Sequence, residues 1–534
     1  MQSKPSKQGM GITNQLKNNH LLWRAGFGPM AEDLPALASR PQKGFTEALW
    51  KASLQPVTYL DVTQNSLKDL VTGGDTGAAM QRKELSADEK RQLRKQSQQD
   101  IKSLNLAWLG EMVNTDAQLR EKMALFWHGH FASRNINIYY QQLLLDIIRR
   151  NALGNFGDLL KQVSKSAAML NFLNNNQNRK DHPNENFARE VMELFTMGRG
   201  NYTEEDVKEA ARAFTGWGAN LNGEFIFRKG QHDTGEKNVL GRKGNFDGDD
   251  VLNILLEQRQ TALFLTRKLY RYLVNEEIDE DRVAWLAGRW YQNNYDIQSI
   301  LQDILNGEWF YDPRNIGCRI KSPVDLLAGI RRMLPMKIAN EEVQLLLQRL
   351  LGQVLFYPPN VAGWPGGNSW IDSSTLMFRL RIPELIYASG EFNLKPKDDD
   401  DQMMGLAEIP MDELRSYSGA GAKTDDSATN NNPDPASLPG DVRSRPGGRK
   451  GGGRKMDGGM GQVIRAEIDW APYLKRFTDI PPGQLFMAIS GVLLQTPSGI
   501  GEDIVKKYAA GTDREDFIKS ATIRLMSTPE YQLC

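Results

Sequence analysis

The segment His182–Gly218 reads HPNENFAREVMELFTMGRGNYTEEDVKEAARAFTGWG, and its residue spacing decides the fold class. Its first half repeats four apolar residues at helical spacing: Phe187, Val191, Leu194 and Phe195. Gly198 then offers the left-handed residue that often ends a helix. Thr203, with Asp206 three residues later, predicts a capping box that starts another helix. The segment therefore predicts two consecutive α-helices.

The same periodicity recurs through most of the 534 residues. Further helices are predicted at about 86–131 (two helices, the second starting at 117), 139–150, 156–173, 258–274, 282–293, 296–305, 323–334 and 341–351. The sequence GEFIFRKGQHD at Gly223–Asp233 has the alternation of a strand or hairpin edge. These patterns predict a mostly α protein, a large multi-helix domain with a few short strands.

One stretch near the C-terminus departs from this pattern. Residues 393–461 contain DDDD, NNNPDP and RSRPGGRKGGGRKMDGGMG, a composition too poor in apolar residues to offset the entropy of ordering. We therefore expect a main helical domain at 1–392 and a long disordered insertion at 393–461. The amphipathic helices of 462–534 are expected to pack back on the main domain.

Overall charge and hydropathy exclude some partners. Lys plus Arg and Asp plus Glu both number 66, so the net charge is zero, which argues against binding of duplex nucleic acid by the whole chain. No stretch reaches the roughly 20 apolar residues of a membrane span. The N-terminal sequence has no apolar signal-peptide core, which predicts a cytoplasmic location.

Two histidines form a His-x-His pair at His128 and His130. On a continuous helix the two rings diverge by roughly 160°, so they can share a metal only if the helix ends near Gly129. The alternative is structural, with His128 against Phe126 and Trp127 and with His130 facing polar loop atoms.

Two acidic residues, Glu190 and Glu193, lie three residues apart on the helix predicted from 184. With Asn186 one turn earlier, they could bind a hard cation or act as an acid–base pair. Arginines are close by in the sequence, so a network of arginine–carboxylate pairs is the more common arrangement for such residues.

The loop HDTGEK places His232, Asp233 and Lys237 within six residues. Such a loop could supply a base, a metal ligand and a group that holds an anion. It could equally be a turn in which Asp233 hydrogen-bonds the backbone near Gly235.

The sequence GWPGGNSW places Trp364 and Trp370 on either side of a glycine–proline turn. Aromatic faces beside an open backbone suit the C–H faces of sugars or a proline-rich peptide. The structural alternative is that both rings fix the loop to the helical core.

Several of these motifs together resemble the bacterial family catalogued as domain of unknown function 1800. The motifs are HLLWRAGFGP at His20–Pro29, LREKMALFWHGHFAS at Leu119–Ser133, NENFAREVMELFTMGRGNYTEEDVKEAARAFTGW at Asn184–Trp217, HDTGEKNVLG at His232–Gly241, RIKSPVDLL at Arg319–Leu327, VAGWPGGNSWI at Val361–Ile371 and STPEYQL at Ser527–Leu533. The resemblance implies a large helical protein, an exported or periplasmic location, and a secreted sulfatase-like partner protein. The chain departs from the family pattern at Asn174, where the family pattern leads us to expect an aspartate, and in the 393–461 insertion.

Two functions remain open at this point, and the sequence does not decide whether the protein is an enzyme. The first is a metal-assisted hydrolase or transferase, with Glu190, Glu193, His232, Asp233 and Lys237 as catalytic residues. A divalent metal would be held by ligands drawn from His128, His130, Glu190 and His232. The second is a non-catalytic binding or assembly protein that contacts a glycan or partner protein through Trp364, Trp370 and Asn186.

Overall fold

The computed structural model of the protein describes residues 12–63, 86–135, 137–220, 223–389, 391–392, 462–508 and 513–534. Within these residues the fold is mostly α, with only short strands, as the sequence predicts. The predicted disordered insertion at 393–461 lies outside the described residues. The predicted division of the chain into domains stays a prediction.

The helices follow one another along the whole described chain. They are α1 Asn14–Arg24, α2 Ala36–Ser39, α3 Gln42–Ser53, α4 Ala87–Asn114, α5 Gln118–His130, α6 Ile138–Asn151, α7 Phe156–Ser164, α8 Ala167–Phe172, α9 Asn186–Glu190, α10 Glu204–Ala213, α11 Gly248–Leu256, α12 Arg259–Leu273, α13 Glu280–Gln292, α14 Ile297–Leu305, α15 Pro323–Met333, α16 Val343–Leu351, α17 Ser373–Tyr387, α18 Ala471–Lys475, α19 Leu485–Leu493, α20 Glu502–Tyr508 and α21 Arg514–Met526.

The strands form four antiparallel pairs among the described residues. They are β1 Trp217–Ala219 with β2 Phe225–Phe227, β3 Lys237–Val239 with β4 Arg242–Gly244, β5 Met336–Ile338 with β8 Ala466–Ile468, and β6 Glu391–Phe392 with β7 Gln462–Val463. The strand predicted within 223–233 is β2, which forms a hairpin with β1.

The quoted segment follows its predicted start and stop signals but not a uniform helix. Thr203 and Asp206 form the capping box of α10, and Gly198 has a φ of +81°. Between them and α9 the chain forms one π-helical stretch, Val191–Thr196. The Thr196 hydroxyl donates to the Val191 carbonyl at 2.7 Å, five residues back, which suits this wider turn.

A second difference concerns the segment 156–173, where the pattern predicts one helix and the structure has α7 and α8. Ser166 separates them in an extended conformation and caps α8 by accepting from the Met169 backbone N–H. Serine competes well for such a capping position, so a local side-chain hydrogen bond overrides the continuous apolar pattern.

Helix α5 lies at the centre of the core, and only Gly129 among its residues is not buried. The Glu121 carboxylate, which is wholly buried, accepts hydrogen bonds from Arg149 of α6, from Arg120 and from the indole N–H of Trp108 on α4. One turn face away, Lys122 pairs with Asp325 of α15 at 2.7 Å. These pairs fix α5 to α4, α6 and α15.

The C-terminal helices pack against the first part of the chain. Asn19 of α1 donates to the carbonyl of Val492 in α19 at 2.9 Å, in a buried position. Ile320 and Leu533 form an isolated antiparallel bridge, and Arg319 and Cys534 exchange two backbone hydrogen bonds beside it. Both cysteines, Cys318 and Cys534, are free.

In the part of the chain that the structure describes, no helix combines the length and apolar character needed to cross a bilayer.

Replacing Glu121 with alanine should lower the free energy of unfolding by about 3–5 kcal/mol, because Arg149 and Arg120 would lose the carboxylate that compensates their buried charge. Urea denaturation of wild type and variant measures this difference. The matched control is Glu47→Ala, whose exposed partner Lys43 lies 4.0 Å away and whose loss should leave stability unchanged. Equal effects of the two substitutions would contradict this account of the core.

Replacing residues 393–461 with an Asn-Gly turn should not lower the melting temperature. Phe392 and Gln462 are directly paired across β6 and β7, so the two ends already lie at the separation of a two-residue hairpin. A shorter loop also reduces the entropy lost on closing it. Calorimetry of the deletion variant checks this, and a clear drop in melting temperature would show that the segment contributes to the core.

Candidate functional site

A pocket of about 510 Å³ opens between the C-terminal half of α5, helix α12 and the loop that leads to Trp370. Four aromatic side chains line it: Phe126, Tyr272, Trp364 and Trp370. Five ionisable side chains line it as well: His130, Lys268, Arg271, Glu276 and Arg319. This mixture of apolar rings and a few charged groups is typical of ligand-binding pockets.

Two glycines let the loop lie close against its neighbours. Gly363 has a φ of +85°, and a Cβ at this position would lie 2.3 Å from the carbonyl oxygen of Gly129. Gly367 has a φ of +58°, and a Cβ there would lie 2.8 Å from the Glu276 carboxylate. Both positions require glycine, since any side chain would push the loop off α5 or off the residues that follow α12.

Trp364 and Trp370 both line the pocket, which is consistent with the ligand-binding role predicted for them. The Trp364 ring also packs against His128 at 5.4 Å between centroids, and Trp370 is only 7% exposed. The two rings therefore fix the loop to the core and line the pocket at the same time. Asn186, the third predicted binding residue, is not part of this lining; its side-chain amide donates to the Leu173 carbonyl at 3.2 Å.

His130 contributes an edge of the pocket and is held by two partners. Its Nε2 lies 3.1 Å from the Phe195 carbonyl oxygen, and its Nδ1 lies 3.0 Å from the Lys268 Nζ. A carbonyl can only accept, so Nε2 carries the proton and Nδ1 accepts from the lysine. Burial, together with the nearby Lys268, holds the pKa of His130 well below its ordinary value, so the ring is neutral.

Lys268 lies between His130 and the ring of Phe264, where its Nζ is 5.2 Å from the ring centroid. Burial lowers the pKa of Lys268 to about 8, because a charged ammonium is poorly solvated there. At neutral pH the group is still mostly protonated, and it presents a cation to the pocket.

His128 does not act with His130. Helix α5 continues through both residues, so the rings point to different sides, and the condition for a shared metal is not met. The His128 Nε2 accepts from the Phe356 backbone N–H at 3.3 Å, and its ring packs edge-on against Trp108. Burial lowers the pKa of His128 to about 3. The predicted structural alternative had the neighbours reversed, since it is His130 that contacts the rings of Phe126 and Trp127.

Glu193 is committed to neighbours outside the pocket. It accepts from the Arg199 side chain at 2.9 Å and from the Tyr202 hydroxyl at 2.5 Å. Glu190 is partly buried, and burial followed by the nearby Glu193 charge raises its pKa. Arg189 binds Glu185 and Glu204 instead. These contacts favour the structural interpretation of the acidic face.

The HDTGEK loop is held by internal hydrogen bonds. Asp233 pairs with Arg212 at 2.7 Å and accepts from the Gly235 backbone N–H at 2.8 Å, as the turn interpretation predicts. Lys237 is buried and donates to the carbonyls of Asp233 and Gly235. His232 packs against Phe227, with its Nδ1 3.0 Å from the Thr215 carbonyl oxygen.

The metal site predicted from His128, His130, Glu190 and His232 is not supported by this arrangement. Among the described residues, no three His, Cys, Asp or Glu side chains lie close enough together to hold one metal ion. Each of the three histidines already contacts a backbone carbonyl or amide, and the nearest polar side-chain partner of His130 is a lysine rather than a carboxylate.

Arg319 is the pocket residue that the sequence analysis missed. It is 6% exposed, and within the described chain no hydrogen-bond acceptor reaches its Nε or Nη1. Its guanidinium lies 5.1 Å from the Tyr272 ring centroid. An unsatisfied buried donor costs about 1–3 kcal/mol, and more when it is charged, so this position is maintained against a penalty. The sequence signal was its place in RIKSPVDLL, beside a helix-capping serine.

These features define a class: a large α-helical protein with a glycine-rich loop that closes an aromatic and cationic pocket against the central helix. The chain belongs to the family described as protein of unknown function (DUF1800), which matches residues 20–533. The family resemblance of the motifs is thereby confirmed, and the match includes every residue of the pocket. Neither a curated protein nor a solved structure matches the chain.

The buried Lys268 predicts a pH dependence of stability. Its pKa falls from 10.5 to about 8 on folding, so between these values the unfolded chain binds the extra proton. The contribution of Lys268 to stability therefore rises with pH between about 8 and 10.5 and is constant below that window. Urea denaturation at several pH values should show the wild type gaining stability relative to Lys268→Met only within it. A difference that does not change with pH would contradict the predicted titration.

Proposed function

We propose that the protein binds a glycan in the pocket between α5, α12 and the loop around Gly366, and that it acts as a binding protein. The observation that carries this proposal is the placement of Trp364, Trp370 and Tyr272 around one cavity of about 510 Å³. The apolar C–H faces of a sugar ring pack well on such aromatic faces. The volume lies in the range of small-ligand pockets.

A glycan suits this pocket better than a proline-rich peptide. Extended peptides are recognised in open grooves that follow several residues of the ligand. Here the aromatic side chains surround one concave cavity, and charged side chains alternate with them. Sugar hydroxyls need hydrogen-bonding partners beside the aromatic face, and Gln353, Glu276 and Arg271 provide them at the same cavity.

Binding is favoured over metal-assisted hydrolysis or transfer because the predicted catalytic residues lie in other hydrogen-bonded environments. Glu193, Asp233 and Lys237 each bind partners away from the pocket. His130 alone of the predicted ionisable residues lines the cavity.

A blocking substitution tests this proposal without removing a core side chain. Gly366 lines the pocket, is exposed, has a φ of −109°, and has no atom within 4 Å of a Cβ built on it. Gly366→Trp should therefore fold normally, fill the cavity and lower glycan affinity at least tenfold, as measured by calorimetry with the best ligand from a glycan array.

The matched control is Gly483→Trp. Gly483 is also exposed, has open space around its Cβ and lies outside the pocket. This variant should bind like the wild type. If no glycan on the array binds, or if Gly366→Trp and Gly483→Trp bind equally well, the proposed site is wrong.

A further inference from the structure

The guanidinium of Arg319 is an unused charge inside the pocket. Its side chain lines the cavity and is buried, while Nε and Nη1 have no acceptor among the described residues. Stacking on the Tyr272 ring fixes the plane of the group. A planar fork of N–H donors held in this way matches the two oxygens of a carboxylate or of a sulfate.

Two more cations face the same cavity. Lys268 and Arg271 lie three residues apart on α12, so they share one side of the helix with Tyr272. Lys268 uses one of its three N–H groups on His130, which leaves two for a ligand. Arg271 is exposed at the edge of the cavity.

The nearby acidic groups do not cancel this charge. Asp325 is buried, but it is paired with Lys122 at 2.7 Å. Glu276 is the carboxylate that lines the cavity, and it is exposed, so solvent screens it. His130 is neutral because its Nε2 donates to a carbonyl and its Nδ1 accepts from Lys268. The interior of the pocket therefore has an excess of positive charge.

We propose that Arg319 and Lys268 form an oxyanion subsite in this pocket, and that the glycan it binds is acidic, with a carboxylate or a sulfate ester on a sugar ring. The inference rests on the proposed glycan binding and adds the chemical class of the ligand. Arg319 binds the two oxygens through its fork, Lys268 supplies the second charge, and the aromatic rings hold the sugar.

Matched pairs of oligosaccharides test the proposal. One pair is trigalacturonate and its methyl ester, which differ only in the carboxylate charge. The other is a sulfated galactose trisaccharide and its unsulfated parent. Calorimetry with the full chain should give at least tenfold tighter binding to the acidic member of one pair, and the pair that shows the preference identifies the source of the oxyanion.

Arg319→Gln should reduce affinity for the acidic sugar about ten- to a hundredfold and leave affinity for the neutral sugar unchanged. Arg319→Lys should recover only part of the preference, since it restores the charge but not the fork. The matched control is Arg379→Gln. Arg379 is also buried with two unpartnered guanidinium nitrogens, but it does not line the pocket, so this variant should keep the wild-type preference.

The outcomes separate the two proposals. Equal binding of acidic and neutral sugars by the wild type, blocked by Gly366→Trp, would overturn the oxyanion subsite and leave glycan binding standing. Binding of neither member of either pair, with no array ligand sensitive to Gly366→Trp, would remove both. If Arg319→Gln does not fold, the exposed Arg271→Gln and the Lys268→Gln variants must lower the acidic preference, or the subsite is wrong.

Discussion

The burial of helix α5 is the constraint on which the rest of the structure depends. A helix surrounded on all sides has no solvent face, so each of its polar side chains must find a partner inside the protein. Glu121 finds Arg149, Lys122 finds Asp325, and His130 finds Lys268 and the Phe195 carbonyl. Each partner comes from a different element, so the pairs together determine which neighbours surround the helix. The pocket lies at the end of α5 where this enclosure stops, beside Gly129.

Local signals in the sequence were sufficient for the helices and their boundaries. The capping box at Thr203, the left-handed Gly198 and most helical spans were predictable because each depends on residues close together in the chain. The π-helical stretch at Val191–Thr196 and the break at Ser166 were not, since in each a single side-chain hydrogen bond overrides an apolar pattern that continues through it. Trp364 and Trp370 were recognisable as candidates because aromatic residues around a glycine–proline turn stand out without knowledge of the fold.

The remainder of the site depends on distant pairs, which sequence spacing does not reveal. The side chain of Asp233 suits catalysis until Arg212 is placed 2.7 Å from it. The reverse holds for Arg319, which reads as an ordinary arginine beside a helix cap until burial leaves it without an acceptor. Which charges are compensated is decided by contacts between segments far apart in the chain. A cluster of ionisable residues in one motif is for this reason weaker evidence of chemistry than one uncompensated group in a cavity.

The π-helical stretch has a consequence for how this protein can vary. It holds one residue more per turn than an α-helix would, and the Phe195 carbonyl that positions His130 lies within it. Loss of a single residue there would rewind the stretch as α-helix and rotate everything after it by about 100° relative to α9. The carbonyl would then face away from His130, and Lys268 would lose its fixed neighbour. A one-residue deletion far from the pocket entrance is thus a route by which descendants of this sequence can acquire a different ligand preference while keeping every pocket side chain.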